Sequence, residues 1–183
     1  MPPRKQNQNA APTLETQRLR LRELRLDDFE AVHAMWCEPL VYKYIAGRAS
    51  TREESWNGIF RVVGHWKLLG YGFWAVEEKQ SGKFIGDMGF ANCHRDIIPS
   101  LDETPELGWV LNTASHNKGF ATEALNAIVA WGDKNLEQKT TCCIIAPENA
   151  ASIRVADKLS FREVAHTTYK DEPTIVYHRE SGL

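Results

Sequence analysis

The segment with the clearest chemical signal is a short polar turn between a strand and a long helix. The strand is PELGWVL, residues 105–111, and the helix opens with Lys118, Gly119 and Phe120. The first turn of a helix has backbone N–H groups without intrahelical partners, and the helix dipole adds partial positive charge there. Gly119 and Ala121 have little or no side chain, so an anion can approach these amides closely, and Lys118 adds a cation. The pattern predicts a site for a diphosphate.

Two better-known phosphate motifs match this segment less well. A P-loop needs the order Gly-Lys-Ser/Thr after a wide glycine loop, whereas here Lys118 precedes Gly119. A dinucleotide fingerprint needs three spaced glycines, and only Gly119 is present. Many helices also begin with small residues after a polar turn, so the residues alone leave an ordinary helix start as an alternative.

The elements around the turn predict a mixed α/β, or α+β, domain. Leucines alternate with polar residues over 18–24, as in a strand, and a first helix follows over 29–36 until Pro39 stops it. A second helix is predicted over 51–70, where Thr51 and Glu54 form a capping-box pattern. The rest alternates as a hairpin around KQSG, the strand 105–111, the helix 118–135, the strand 140–146, the helix 148–159 and a hairpin around Asp171 and Glu172. This order predicts one sheet of six or seven strands with about four helices.

Composition and charge exclude several classes of protein. The chain has 183 residues, 43% hydrophobic and 25% charged, which is typical of one soluble globular domain. A net charge of −2 provides no field that would attract nucleic acid or a membrane surface. No apolar stretch approaches the roughly 20 residues that cross a bilayer. We therefore expect a flexible tail over 1–13, one domain over 14–183, and neither nucleic acid nor membrane as a partner.

The cysteines and histidines give no sign of a metal site. Cys37, Cys93, Cys142 and Cys143 form no C-x-x-C pair, and the six histidines show no ligand spacing relative to them. Reduced thiols are typical of a cytoplasmic protein. We therefore predict a cytoplasmic location and no metal.

Two strings resemble motifs of a known family. HNKGFA, residues 116–121, resembles the acetyl-CoA-binding motif Gln/Arg-x-x-Gly-x-Gly/Ala of the GNAT acetyltransferases. The wider string PELGWVLNTASHNKGFATEAL is similar to the RimJ/RimL-like branch, which includes ribosomal-protein N-terminal acetyltransferases. PENAASIRVADKLSF, residues 147–161, resembles that branch's second signature, Asn-x-x-Ser followed by Lys-Leu-Gly-Phe. The order of elements agrees as well, and the resemblance covers roughly residues 14–180.

The resemblance implies a mostly antiparallel sheet with splayed central strands that hold acetyl-CoA. These strands are the one that ends at Leu111 and the one that begins near Thr141. The pantetheine arm would pair with backbone groups of Trp109, Val110 and Leu111. His116 stands where the family usually has Gln or Arg, with little loss expected, because the main contacts come from backbone amides. The diphosphate would lie on the amides of Asn117, Lys118, Gly119, Phe120, Ala121 and Thr122.

The resemblance also implies direct transfer of the acetyl group to an amine. This reaction needs a base for the amine and a polarised thioester carbonyl. Glu106 matches the family's strand carboxylate that acts as the base, although an ordinary ion pair is an alternative for it. The backbone amide of Val110 or Leu111 would polarise the carbonyl. Strand alternation places Glu106 on one face with Gly108 and Val110, which would leave an open track in front of its side chain.

The proton donor for the departing thiolate is less clear from the resemblance. Many relatives have a Tyr seven residues after the Asn of the second motif, but Asn149 leads to Ala156. Ser152 matches a serine that takes the role in the RimJ/RimL-like branch, and Tyr169 is a substitute. Asn149 is predicted to cap its helix and to bind the pantetheine arm. Ser160 replaces the family's Gly, at a cost of about 1 kcal/mol if its backbone is left-handed.

The acceptor amine is not identified by the sequence. Its site would be lined by the segment 38–50, including Tyr42, Tyr44 and Arg48, and by the loop 91–104. A protein N-terminus, an amino acid, a polyamine and an aminoglycoside all stay open, as does a homodimer. A non-catalytic acyl-CoA-binding or sensing domain on the same fold is the alternative function, because the usual Tyr is missing.

Overall fold

A sheet of eight strands runs through residues 10–182, which are the residues that the computed structural model describes. The spatial order of the strands is β1-β2-β3-β4-β5-β6-β8-β7. Neighbours are antiparallel except for β5 and β6, which are parallel. The strands are β1 (Leu14–Glu15), β2 (Leu19–Arg22), β3 (Phe73–Glu78), β4 (Lys83–Ala91), β5 (Glu106–Leu111), β6 (Thr140–Ile145), β7 (Arg162–Tyr169) and β8 (Glu172–Glu180).

The helices follow the predicted order, with one addition. They are α1 (Phe29–Trp36), α2 (Pro39–Tyr42), α3 (Arg52–Leu69), α4 (Phe120–Asn135) and α5 (Ala150–Lys158). The predicted mixed fold is confirmed, but the described residues contain eight strands rather than six or seven and five helices rather than about four. The added strand is the two-residue β1 at the sheet edge. The added helix begins at Pro39, because a proline at the first helical position loses no hydrogen bond.

Hydrophobic side chains cover both faces of the sheet. Adjacent strand residues point to opposite faces, and Trp74 and Ala75 on β3 belong to different clusters. Trp74 packs in the larger cluster with α4 residues such as Ile128. Ala75 packs with Val32 of α1 and Ile59 of α3. The sheet therefore has an α4 face, which Trp66 near the end of α3 also reaches, and an α1/α3 face.

The two central strands separate soon after they meet. β5 and β6 pair only at Glu106 and Cys142, next to a 3.0 Å bond from the Cys142 N–H to the Pro105 carbonyl. In contrast, β4 and β5 pair along the whole length of β5. The expected splay of the central strands is confirmed, and it leaves a gap beside the second half of β5.

The predicted tail falls mostly outside the described residues. Residues 1–9 and 183 lie outside them, so the tail is described only over 10–13. There, the Pro12 carbonyl accepts a 2.7 Å hydrogen bond from the indole N–H of Trp74, and Ala11 packs against the larger cluster. Within 10–182, no helix has the length and apolar character needed to span a membrane.

Candidate functional site

The turn before α4 presents a row of free backbone amides. Gly119 precedes the helix with φ 78° and Asn117 has φ 60°, so both residues are left-handed. The first backbone bond of the helix joins the Glu123 N–H to the Gly119 carbonyl at 3.1 Å. The N–H groups of residues 117–122 have no acceptor among the described residues. Such a row can hold an anion through hydrogen bonds and the helix dipole.

Cationic side chains stand beside this row. The Arg18 guanidinium lies 4.6 Å from the centroid of the Phe120 ring and donates to the Lys118 carbonyl at 2.9 Å. Glu123 holds Arg18 with an Nε–Oε2 distance of 2.7 Å. The Lys118 ammonium lies 5.9 Å from the same ring. An adjoining pocket of about 630 Å³ is lined by Gln17, Arg18, Glu78, Lys79, Gln80, Lys118 and Phe120.

His116 has a structural contact that the sequence did not predict. Its Nε2 atom lies 2.9 Å from the Leu111 carbonyl oxygen. The ring therefore ties the beginning of the turn to the end of β5. This contact helps to set the backbone of the turn that leads into residues 117–122.

The strand register decides which β5 amides face the gap. Asn112 donates its N–H to the Ile85 carbonyl at 2.8 Å, which sets the alternation of bonded pairs between β4 and β5. In that alternation, Val110 is bonded to Asp87 across the ladder. The Leu111 amide points away from β4, toward the gap. Of the two amides that the sequence suggested for polarising a carbonyl, Leu111 is the available one.

Glu106 is buried in an ion pair. Its side chain is 11% exposed, and both carboxylate oxygens accept from Arg95, at 2.6 and 2.7 Å. The Arg95 guanidinium lies over the Tyr169 ring at 4.7 Å, so this tyrosine contacts the pair. The Phe73 ring fills the space beside Gly108, where an added Cβ would lie 2.7 Å from the ring. The open track expected in front of Glu106 is therefore absent.

The motif of residues 147–161 caps helix α5 at the edge of the sheet where α4 also begins. Because β5 and β6 are parallel, their carboxyl ends lie at one edge, where α4 and α5 both begin. The Asn149 side chain accepts from the Ser152 N–H at 3.1 Å, so the predicted cap is confirmed. Ser152 is half-buried in the first turn of α5. Ser160 has φ 65°, which confirms the left-handed backbone expected there.

The segment expected to face the acceptor is tethered to the turn. The Thr113 N–H donates to the Glu38 carboxylate at 2.6 Å, which joins the start of the segment 38–50 to the end of β5. Arg48 pairs with Glu54 at 2.6 Å, and Tyr44 lies 4.7 Å below the Lys43 ammonium. In the described residues, no group of His, Cys, Asp and Glu side chains is arranged to bind a metal ion.

Asp87 is a further candidate residue that the sequence pattern did not single out. It is 6% exposed in β4, between Ala75 on one side and Val110 on the other. No hydrogen bond to its carboxylate oxygens is found within 10–182. Burial raises the pKa of Asp87 to about 7, although the Arg61 charge opposes this. An acidic residue inside the apolar strand KFIGDMGF was the signal that could have identified it.

Comparisons with known proteins agree on one family. Residues 18–162 match the family model of the acetyltransferase (GNAT) domain. A relative from Bacillus licheniformis, named "Uncharacterized N-acetyltransferase p20", is 28% identical over 152 residues, 82% of this chain and 83% of that protein. An acetyltransferase structure from Agrobacterium tumefaciens strain C58 is 25% identical, with a TM-score of 0.80, and the match covers 97% of this chain and 99% of that one. The structure of the ribosomal L7/L12 α-N-protein acetyltransferase RimL in complex with coenzyme A is 14% identical, and it shares the fold with a TM-score of 0.73 over 92% and 98% of the two chains.

Proposed function

This chain belongs to the GNAT acetyltransferase family and is an acyltransferase, and from that premise we propose that it transfers an acetyl group directly from acetyl-CoA to a primary amine. The observation that carries the proposal is the row of unbonded amides at residues 117–122, next to the gap between β5 and β6. A diphosphate and an extended pantetheine arm need these two features side by side. The solved complex of the structural neighbour RimL with coenzyme A supports the choice of cofactor.

In the proposed reaction, different residues of this chain bind the cofactor, polarise the thioester and protonate the thiolate. The amides of residues 117–122 hold the diphosphate, and Lys118 and Arg18 add positive charge beside it. The Leu111 N–H donates to the thioester carbonyl oxygen, where negative charge develops during transfer. The Ser152 hydroxyl protonates the thiolate. When bound, acetyl-CoA supplies the activated acetyl group.

The acceptor is proposed only as a class. A protein N-terminus and a small primary amine both fit an acetyltransferase, and the RimJ/RimL-like motifs favour the first. One structural neighbour, from Salmonella typhimurium, is described as modifying the N-terminal serine of a ribosomal protein, although it is only 14% identical to this chain. The cytoplasmic location and a homodimer stay predictions.

Two measurements on the full chain test the function. Calorimetry with coenzyme A is expected to show one binding site. Free-thiol release from acetyl-CoA is expected to require an amine from a panel of Ser- and Ala-initiated peptides, spermidine and kanamycin. Binding of coenzyme A without turnover on any of these amines would support the non-catalytic sensing alternative.

Lys118→Ala is expected to weaken coenzyme A binding about three- to tenfold. A surface cation near a phosphate contributes on the order of 1 kcal/mol, and salt screens it. The measurement is calorimetric affinity at low and high salt, where the difference between variant and wild type should shrink as salt increases. Lys134→Ala is the matched control, since Lys134 lies in the last turn of the same helix. Equal effects of the two substitutions would contradict the placement of the diphosphate.

A further inference from the structure

One buried carboxylate on the α1/α3 face, that of Asp87, takes no part in the proposed binding of acetyl-CoA. Resting on the proposed acetyl transfer, we propose that Asp87 is the catalytic residue that takes the proton from the acceptor amine. The sequence suggested Glu106 for this step. Position, hydrogen bonding and burial each favour Asp87.

The sheet places Asp87 on the side from which an acceptor can approach. Directly opposite residues of antiparallel strands point to the same face, and Asp87 lies opposite Ala75 and Val110. Ala75 packs against Val32 of α1 and Ile59 of α3. The carboxyl group therefore faces the helices on either side of the segment 38–50, whereas the side chains of α4 pack on the other face.

Distance along β5 separates the two carboxylates. The thioester carbonyl is placed at the Leu111 amide, one residue beyond Val110. Cross-strand neighbours have Cβ atoms about 5 Å apart, so Asp87 is close to this point. Glu106 is five residues away, about 16 Å along a strand at roughly 3.3 Å per residue. An aspartate beside Val110 can reach an amine at the carbonyl, and a glutamate at the far end of β5 cannot do so directly.

The two carboxylates also differ in their hydrogen bonds. Both oxygens of Glu106 are occupied by Arg95, whereas those of Asp87 accept no hydrogen bond from the described residues. A general base needs an oxygen that is free to accept the substrate's proton. Glu106 is better suited to fix Arg95, and with it the loop 91–104.

Burial brings the pKa of Asp87 close to neutral pH. Its pKa is raised to about 7 by loss of solvation, and Arg61 on α3 is the charged group that lowers it. Its neighbours on the adjoining strands, Ala75 and Val110, are apolar. A base is most effective when its pKa is close to the operating pH. Asp87 can then accept a proton near neutral pH and release it again to solvent.

The proton balance of the step is simple. The amine nitrogen forms a C–N bond to the acetyl carbon and gives one proton to Asp87. The C–S bond breaks, its electron pair stays on sulfur, and sulfur takes up one proton from Ser152. Asp87 then releases its proton to solvent, and the Ser152 alkoxide takes up one proton from solvent. No oxidant, reductant or further reactant is needed.

The kinetic test compares Asp87→Asn with Glu106→Gln. Thiol release from acetyl-CoA is followed from pH 5.5 to 9 with the most active amine of the peptide, spermidine and kanamycin panel. For the wild type we expect kcat/KM to rise with pH through an apparent pKa of about 7. Asp87→Asn should lower kcat/KM about 100-fold and remove the rise near pH 7, leaving only the dependence that comes from deprotonation of the amine substrate itself, with coenzyme A affinity unchanged. Glu106→Gln should keep the rise.

Asp133→Asn is the matched control, because Asp133 is a carboxylate paired with Arg179 at 2.7 Å and has no role in the site. Loss of the pH-dependent rise in Glu106→Gln, with the rise retained in Asp87→Asn, would overturn the proposal in favour of Glu106. If the wild type acetylates no amine, the proposed function fails and this role fails with it. Normal wild-type turnover with an unaffected Asp87→Asn variant overturns the role of Asp87 alone.

A second readout does not depend on turnover. NMR titration of the protein with ¹³C-labelled aspartate carboxyl groups should show a resonance that titrates at a pH of about 7 and is missing from Asp87→Asn. Because the titration is seen in the wild type, a poorly folded variant does not prevent the test. Absence of any aspartate that titrates near neutral pH would overturn the proposal.

Discussion

Gly119→Asp is expected to reduce coenzyme A affinity by about 100-fold or more. Gly119 has φ 78°, and its N–H lies in the row of residues 117–122 that has no acceptor among the described residues. An aspartate there places a negative charge where the diphosphate should lie, and it can draw the Arg18 guanidinium, 3.5 Å from the position of the added Cβ. The affinity is measured by calorimetry.

Gly70→Asp is a suitable control for this variant. Gly70 ends α3 with φ 76°, and a Cβ at this position meets no atom within 4 Å. Both substitutions therefore impose the same left-handed strain, about 1 kcal/mol, on a non-glycine residue. We expect Gly70→Asp to lower the melting temperature slightly and to bind coenzyme A as the wild type does. Equal affinities of the two variants would show that the turn at Gly119 is not the diphosphate site.

Asp87→Asn is expected to stabilise the folded protein at pH 8 by about 2 to 4 kcal/mol, but to have little effect near pH 4. The pKa of Asp87 is raised from 3.8 to about 7 on folding. Between these values the unfolded chain releases the proton while the folded chain keeps it, so wild-type stability falls as the pH rises. Asparagine does not ionise and avoids this loss. Urea unfolding at several pH values measures the difference.

Asp28→Asn is the control with the opposite sign. Burial opposes ionisation of Asp28, but hydrogen bonds from Arg22 and Arg25 outweigh it and lower its pKa. This carboxylate therefore stabilises the fold at neutral pH, and its contribution is lost as the pH falls through its folded pKa. Asp28→Asn should destabilise the protein at pH 7. A pH-independent effect of Asp87→Asn would contradict the raised pKa of Asp87.

Local features of the fold were predictable because near neighbours in the chain determine them. The capping box of Thr51 and Glu54, the Asn149 cap and the left-handed Ser160 all depend on residues a few positions apart. The start of α2 was not predicted, because a proline can end one helix or begin the next. Strand β1 was missed because two residues show no periodicity, and its pairing with β2 forms it.

The sequence by itself determined the turn that we propose as the cofactor side of the site. A glycine at a helix start with small neighbours specifies exposed amides, whatever surrounds them. Only the tertiary structure decided the proposed catalytic side. There, Arg95 binds both carboxylate oxygens of Glu106, β4 pairs with the backbone of Val110, and burial changes the proton affinity of Asp87. A helix end exposes its amides through its own backbone geometry, whereas the chemistry of a carboxylate depends on the groups that distant segments place around it.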